Sequence, residues 1–184
     1  MVKLNKLYTK NGDLGFTHLT NRSLVVKYDL RIQCCGEIDE LNCFLGKVLV
    51  SLNEKKIQKQ ILYIQNQLFN IGAELATKDL KKVSKKYLIK SSDVKKIEKW
   101  IDNLTKDLPE LKSFVLPGGS LPNSEIHIAR AVCRRAERKC WELNSQEKIS
   151  KNLLIYLNRL SDYLFALSRK VLADEGIEEV LWKP

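Results

Sequence analysis

Glycine, proline and histidine are scarce in this sequence, and each shortage excludes a class of protein. The 184 residues include 8 Gly and 4 Pro, too few for the many turns of an all-β fold, so helices are favoured. The chain has 2 His, His18 and His127. A di-iron bundle needs a His three residues after a Glu, and neither His is so placed, which excludes that class of metal site. Clustered His and Cys at zinc-ligand spacing are also absent. A Ser-His-Asp site is possible on paper but has no local signature.

Paired cysteines and long apolar runs are missing as well. The 5 Cys contain no Cys-x-x-Cys pair and leave an odd count, which favours reduced thiols in a cytoplasmic protein over a disulfide framework. The first ten residues lack the apolar core of a signal peptide, and no segment is apolar enough to span a membrane. We expect one cytoplasmic domain over residues 1–184, without a membrane association.

Positive charge is in excess, with 32 Lys and Arg against 22 Asp and Glu and a formal net charge of +10. Much of this excess lies in a lysine-rich stretch at 78–99. Such a patch is one way to bind nucleic acid, but Tyr87 is the one aromatic residue in the stretch. A solvated loop is therefore favoured, and we expect no nucleic-acid partner.

Apolar residues recur at helical spacing in three long stripes, and the last two have the 4-3-4-3-4 spacing of a bundle seam. Ser91 or Ser92 is expected to cap a shorter helix that ends near Leu104. A further helix follows the Pro-Gly-Gly break at 117–119. We predict an all-α fold, with a non-helical amino-terminal arm at 1–28 and a five-helix bundle at 29–184. The stripes are Ile38, Leu41, Leu45, Val48 and Leu52; Ile57, Ile61, Ile64, Leu68, Ile71 and Leu75; and Leu153, Leu157, Leu160, Leu164, Leu167 and Val171.

The fourth predicted helix carries an arginine face, made of Arg130, Arg134 and Arg138 at intervals of four. Like charges at this spacing repel by a few tenths of a kcal/mol per pair, roughly, and Glu137 offsets only part of that repulsion. A polyphosphate would offset the rest, because guanidinium groups match phosphate oxygens. The alternative is a solvated helix face, which is the commoner use of such a pattern taken alone.

The arm contains a turn sequence, YTKNGDLGFTH at 8–18. Asn11-Gly12 and Asp13-Leu14-Gly15 are turn signals. Successive backbone N–H groups in such a turn can form an anion-binding nest, to which Lys10 adds a positive charge. The Walker pattern is absent, so an ordinary hairpin turn is the alternative.

Four stretches, taken together, resemble one protein family. They are YTKNGDLGFTHL, VVKYDLRIQCCGEIDELN, FVLPGGSLPNSEIHIARAVCRRAERKC and YLNRLSDYLFALSR. In order and spacing they resemble the motifs of the PduO-type ATP:cob(I)alamin (corrinoid) adenosyltransferases, over nearly the whole chain except the lysine-rich region 77–110. Asn21-Arg22-Ser23 stands where that family has a glycine-containing turn.

The resemblance implies a ferritin-like up-down bundle of five helices that assembles as a homotrimer, with active sites between subunits. It implies transfer of the 5′-deoxyadenosyl group of ATP to the cobalt of cob(I)alamin, which yields adenosylcobalamin and triphosphate. Mg²⁺ would accompany ATP and be held mainly by its phosphates. A cobalamin reductase and an adenosylcobalamin-dependent enzyme are the expected protein partners.

The resemblance also assigns site residues. Arg130 and Asp39 match a pair that bridges subunits, and Phe114 resembles the aromatic residue that keeps the lower axial face of cobalt unliganded. Arg134, Arg130, Asp39 and Phe114 are therefore the expected catalytic positions, with Phe114 also binding cobalamin. The ATP-binding positions it implies are Thr9, Lys10, Asn11, Gly12, Thr17, His18, Lys27, Arg134, Arg135, Ala136, Glu137, Arg138 and Asn158.

Two other functions stay open at the level of sequence. A basic helical protein that binds nucleic acid would show steeply salt-dependent binding. A non-catalytic relative would hold adenosylcobalamin for delivery or regulation. The turn sequence of the arm and the RRAER run at 134–138 argue against a purely passive role.

Overall fold

Five helices dominate the part of the chain that the computed structural model describes, which is Tyr8 and residues 10–184. They are α1 (Leu30–Ser51), α2 (Lys55–Leu75), α3 (Ser91–Thr105), α4 (Leu121–Gln146) and α5 (Lys151–Asp174). The predicted five-helix bundle is confirmed. None of these helices is both long and apolar enough to cross a membrane.

A β-hairpin in the arm was not part of the all-α prediction. Strands β1 (Phe16–His18) and β2 (Leu24–Val26) pair antiparallel, with Phe16 opposite Val26. Arg22 closes the turn with a φ of 65°, in the left-handed region that favours glycine. The hairpin rests on the end of α2, where the N–H of Thr20 donates to the carbonyl of Ala76 at 3.0 Å.

The three predicted stripes form the core, and every one of their residues is buried. Each fully buried Leu or Ile stabilises the fold by about 1.5–3 kcal/mol. α1 packs against α2 and α4, α4 packs against α5, and α5 packs against α3. The cationic helix α4 therefore lies between α1 and α5.

Serine caps begin α4 and α5, and a glycine ends α5. Ser120 caps α4, since its side chain accepts the N–H of Asn123, and Ser150 caps α5 in the same way. Gly176 ends α5 with a φ of 68°. Its N–H donates to Ala173 and that of Ile177 to Leu172, the pattern of a Schellman motif.

The predicted cap of α3 is wrong. Neither Ser91 nor Ser92 caps it, because the helix already includes both and its N-cap is Lys90. The Asp93 carboxylate reaches back and accepts the N–H of Lys90 at 2.8 Å. A carboxylate at the third helical position satisfies that donor, so the start of the helix moves by one residue.

The carboxyl-terminal segment returns to the start of α4. Val115 and Leu181 form an antiparallel bridge, and the N–H of Trp182 donates to the carbonyl of Phe114 at 2.7 Å. Arg169 of α5 anchors this segment with hydrogen bonds of 2.8 and 3.0 Å to Glu179. The segment therefore fixes the backbone that presents Phe114.

Candidate active site

A cleft of about 300 Å³ lies between α4, α5 and the segment before α4. It brings together three of the predicted catalytic residues, Phe114 from the segment before α4 and Arg130 and Arg134 from α4. Phe114 is 79% exposed at its edge, so the ring is open to a ligand. The cleft is lined in part by Phe114, Arg130, Arg134, Ser161, Asp162 and Phe165.

Arg130 is the best-fixed cation of the cleft. Its Nε donates to Nδ1 of His127 at 3.3 Å, and its guanidinium carbon lies 5.9 Å from the centre of the Phe165 ring. Burial, and then the charge of Arg134, lower the pKa of Arg130. Both effects disfavour the cationic form, so an anion in the cleft would relieve them.

Arg134 and Arg138 complete the arginine face. Both side chains are exposed, and neither makes a hydrogen bond or ion pair with any residue in the described part of the chain. Their guanidinium groups therefore have free donors for a phosphate-bearing ligand.

Glu137 and Asn158 belong to a network between α4 and α5. The Asn158 amide nitrogen donates to Glu137 at 3.1 Å, and its oxygen accepts from Arg159 at 2.9 Å. Arg159 also pairs with Glu98 of α3 and with Asp162. Asn158 therefore bonds inside the bundle, on the side of the cleft where Asp162 lies.

Two positions of the RRAER run point elsewhere. Arg135 pairs with Glu37 and Glu40 of α1, and its Nε lies 2.6 Å from the Glu37 carboxylate. Ala136 is fully buried in the core, so its methyl group is not available to ATP. Within the run, Arg134 lines the cleft and Glu137 bonds to Asn158 of α5.

The arm brings Lys27 to the turn at Gly12. A Cβ atom on Gly12 would lie 3.0 Å from Nζ of Lys27. Lys10 and Gly15, on either side of Asn11 and Gly12, have φ angles of 61° and 80°. Such left-handed positions are typical of nests that expose N–H groups. Thr17 and His18 lie in β1, and Thr9 falls outside the described residues.

No hydrogen bond or ion pair joins the described part of the arm to the arginine face of the same chain. The hairpin rests on Ala76, and Lys78, two residues farther along the chain, pairs with Glu147 at the end of α4. A helix rises 1.5 Å per residue, so Glu147 lies about 20 Å along the axis from Arg134.

Asp39 is also separated from its expected partner. It is exposed on α1 and borders a different cleft, with Phe69 and Gly72 of α2. It makes no ion pair with Arg130 or with any other described residue of its own chain. A pairing with Arg130 would therefore need a second copy of the chain.

Some residues of the cleft were not predicted from the sequence as site residues. Ser161 and Phe165 lie one helical turn apart on α5, inside the motif YLNRLSDYLFALSR, and that spacing on a common face was the available signal. His127 was considered only as a metal ligand. Among the described residues no cluster of three His, Cys, Asp or Glu is arranged to hold a metal ion.

The model of the cobalamin adenosyltransferase family matches residues 7–171 of this chain. A corrinoid adenosyltransferase from Bacillus subtilis is 44% identical over 179 residues, which cover 95% of this chain and 91% of the relative. A cobalamin adenosyltransferase from Cupriavidus metallidurans is 39% identical over 98% of this chain and 96% of the relative.

Solved structures agree with these sequence matches. One is a variant of a PduO-type ATP:corrinoid adenosyltransferase from Lactobacillus reuteri, complexed with cobalamin and ATP. Its TM-score to this chain is 0.91 and the sequence identity is 37%, and the match covers 97% of this chain and 100% of the solved chain. Another variant of that enzyme, complexed with ATP, has a TM-score of 0.90 and is 35% identical. That match covers 96% of this chain and 100% of the solved chain. The resemblance in the four motifs is confirmed. The chain belongs to the cobalamin adenosyltransferase family.

Proposed function

We infer that this chain transfers the 5′-deoxyadenosyl group of ATP to the cobalt of cob(I)alamin, giving adenosylcobalamin and triphosphate. The observation that carries this conclusion is the cleft where Arg130 and Arg134 lie beside the exposed Phe114. Cations for a polyphosphate and an apolar ring for a corrinoid are thereby held side by side. Membership of the family gives the reaction its identity.

The arginine face acts on the leaving group. When the cobalt of cob(I)alamin attacks C5′ of ATP, the bond from C5′ to oxygen breaks and negative charge grows on the departing triphosphate. Arg134, together with Lys27 and the N–H groups of the arm, donates to the triphosphate and stabilises that charge. No general acid or base is needed, because no proton moves in this step.

Phe114 acts on the other substrate. Its ring stands 6.2 Å from that of Trp182, centre to centre, and the carboxyl-terminal segment holds its backbone. We propose that the Phe114 ring keeps the lower axial face of cobalt unliganded. The cofactor supplies the cobalt chemistry, and the protein supplies geometry and excludes water.

The complete site is proposed to lie between subunits of a homotrimer. This arrangement is supported by two pairs of site elements that are not brought together within one chain. The arm rests on α2 and shares no hydrogen bond with the arginine face, and Asp39 borders a different cleft from Arg130. In a trimer, the arm and Asp39 of one protomer would meet Arg130 and Arg134 of its neighbour. Lys10, Asn11, Gly12, Thr17 and His18 of that arm are then the proposed phosphate and nucleotide contacts.

Mg²⁺ is proposed to enter with ATP. Since the described residues hold no three-ligand cluster, the phosphates would supply most of its ligands, as is usual for Mg²⁺ on nucleotides.

A reductase that makes cob(I)alamin and an enzyme that uses adenosylcobalamin are the proposed protein partners. The free thiols of this chain suit a reducing compartment, and we propose the cytoplasm.

An oxygen-free assay tests the function directly. The purified chain is mixed with ATP, Mg²⁺ and chemically reduced cobalamin, the visible spectrum is followed, and triphosphate is measured. We expect adenosylcobalamin and triphosphate in equal amounts. Binding of adenosylcobalamin without turnover would instead support a carrier, and failure to alkylate reduced cobalamin at all would overturn the proposal.

A further inference from the structure

His127 is a buried titratable residue to which the reaction, as proposed above, gives no part. It lies on α4, one turn before Arg130, and only 4% of its surface is exposed. Its Nδ1 accepts the hydrogen bond from Nε of Arg130 at 3.3 Å. A ring nitrogen that accepts must be unprotonated, so in the neutral ring the proton is on Nε2.

The position is costly for a histidine. Nε2 is buried and has no hydrogen-bond partner among the described residues, and an unpaired buried polar atom is unfavourable. An apolar side chain of similar size would avoid that loss. What histidine provides here, and an apolar residue does not, is the acceptor atom for Arg130.

His127 and Phe165 constrain Arg130 from two sides. The imidazole meets the Phe165 ring edge-on, with 6.3 Å between centres, and the guanidinium of Arg130 lies over the same ring. Because the contact to His127 uses Nε, both terminal amino groups of Arg130 stay without a hydrogen bond to the described residues. Those two groups are the fork that matches a carboxylate or a phosphate.

We propose that His127 is a positioning residue of this enzyme: its neutral Nδ1 holds the Arg130 guanidinium so that both terminal amino groups remain available in the cleft. The inference rests on the proposed function, since it needs Arg130 to act on the substrate or on the partner's Asp39. Burial, followed by the Arg130 charge, lowers the pKa of His127 to about 4 against an opposing effect of Glu179, so the imidazole is neutral at neutral pH.

The test compares three variants of the full chain. His127→Leu removes the acceptor, His127→Asn puts an amide oxygen near the place of Nδ1, and His127→Gln carries its amide farther out, near the place of Nε2. We expect kcat to fall roughly 10- to 100-fold in the Leu and Gln variants, with KM for ATP changed much less. The Asn variant should recover most of the wild-type kcat.

Tyr156→Phe is the matched control. The Tyr156 hydroxyl is also buried without a partner among the described residues, but it lies outside the cleft, so this variant should keep wild-type kcat. Wild-type kcat in His127→Leu, or equal kcat in the Asn and Gln variants, would overturn the role of His127. If the Leu variant does not fold, the comparison of Asn with Gln decides. An inactive wild type would instead overturn the proposed function.

Discussion

The ammonium group of Lys27 lies against Gly12. A Cβ atom on Gly12 would stand 3.0 Å from Nζ and 3.1 Å from Cε of that lysine. The backbone of Lys27 is tied to the same turn, since its N–H donates to the carbonyl of Gly15 at 2.9 Å. The missing side chain at Gly12 is therefore what lets a cation reach the turn proposed to bind phosphate.

Gly12→Ala should weaken ATP binding while leaving the fold intact. The added methyl group displaces only the far end of an exposed side chain, so we expect the melting temperature to stay close to that of the wild type. We expect KM for ATP to rise roughly 3- to 10-fold, the equivalent of about 1 kcal/mol of a charge-assisted contact. Steady-state kinetics and thermal melting measure the two effects.

Gly46→Ala is the control for Gly12→Ala. It adds a methyl group within α1 at an ordinary 3.6 Å from Gln65, so KM for ATP should not change. An unchanged KM in Gly12→Ala as well would remove Lys27 from the nucleotide site.

Arg134→Ala should abolish most of the activity and keep the helix content. Losing one fixed donor to a developing negative charge reduces kcat by roughly 100- to 1000-fold. Because Arg134 is exposed and bonds to no described residue, its removal should not unfold α4, and circular dichroism checks this. Lys139→Ala, which removes a surface ion pair with Glu142, serves as the control on the same helix. Wild-type rates in Arg134→Ala would exclude it from the mechanism.

Asp39→Asn should lower turnover more than thermal stability. In a single chain the carboxylate is exposed and pairs with no described residue, so its loss leaves the bundle unchanged. Across a subunit boundary it would no longer orient Arg130 of the neighbour. The readouts are kcat, melting temperature and sedimentation, with exposed Asp102→Asn on α3 as the control. Equal losses of turnover and stability would argue for a merely structural role.

The free energy of unfolding should fall in acid partly because of His127. Its pKa is about 4 in the folded chain and about 6.5 when unfolded, so the unfolded state binds the proton more readily. The stabilisation is present above pH 6.5 and is lost as pH falls toward 4. The free energy of unfolding of the wild type, measured relative to that of His127→Leu, should therefore fall by up to about 3 kcal/mol from pH 7 to pH 4. Urea titrations measure it, and parallel profiles would contradict it.

Helix positions could be predicted from the sequence because their signals are local and repeated. Ile61, Ile64 and Leu68 of α2, for example, recur at helical spacing, and all are buried. A single terminal cap is harder to assign. Ser91 is the favoured residue type, yet the Asp93 carboxylate satisfies the backbone of Lys90 and moves the boundary. The choice between two nearby caps depends on geometry, not on residue preference.

Pairing between segments that are distant in the sequence leaves no local or repeated pattern in that sequence. The bridge from Val115 to Leu181 joins two short segments without periodicity, so the support of Phe114 by Trp182 was not predicted. In the arm, Arg22 takes a left-handed φ within Asn21-Arg22-Ser23, which stands where the resemblance implied a glycine-containing turn. Because arginine disfavours that conformation, residue preference at this position does not indicate the turn.

The arginine face was predicted because three residues at intervals of four are visible in any helix. Phe165 of the cleft was not predicted, since it reaches Arg130 of α4 only through packing of the two helices. Arg135, in contrast, was predicted as an ATP-binding residue but does not lie in the cleft. It belongs to the RRAER run by sequence, but the angular step of one residue turns it to Glu37 and Glu40 of α1.

The hairpin bonds to the end of α2 and not to the arginine face of its own chain, and this has a genetic consequence. Two inactive proteins, one altered at Lys27 and the other at Arg134, carry complementary defects. The two variants are denatured and refolded together. A site is then intact wherever the unaltered arm of one protomer meets the unaltered α4 of its neighbour. Random mixing in the proposed trimer would produce such pairs at about a quarter of the sites, so the two inactive variants should together restore about a quarter of the activity.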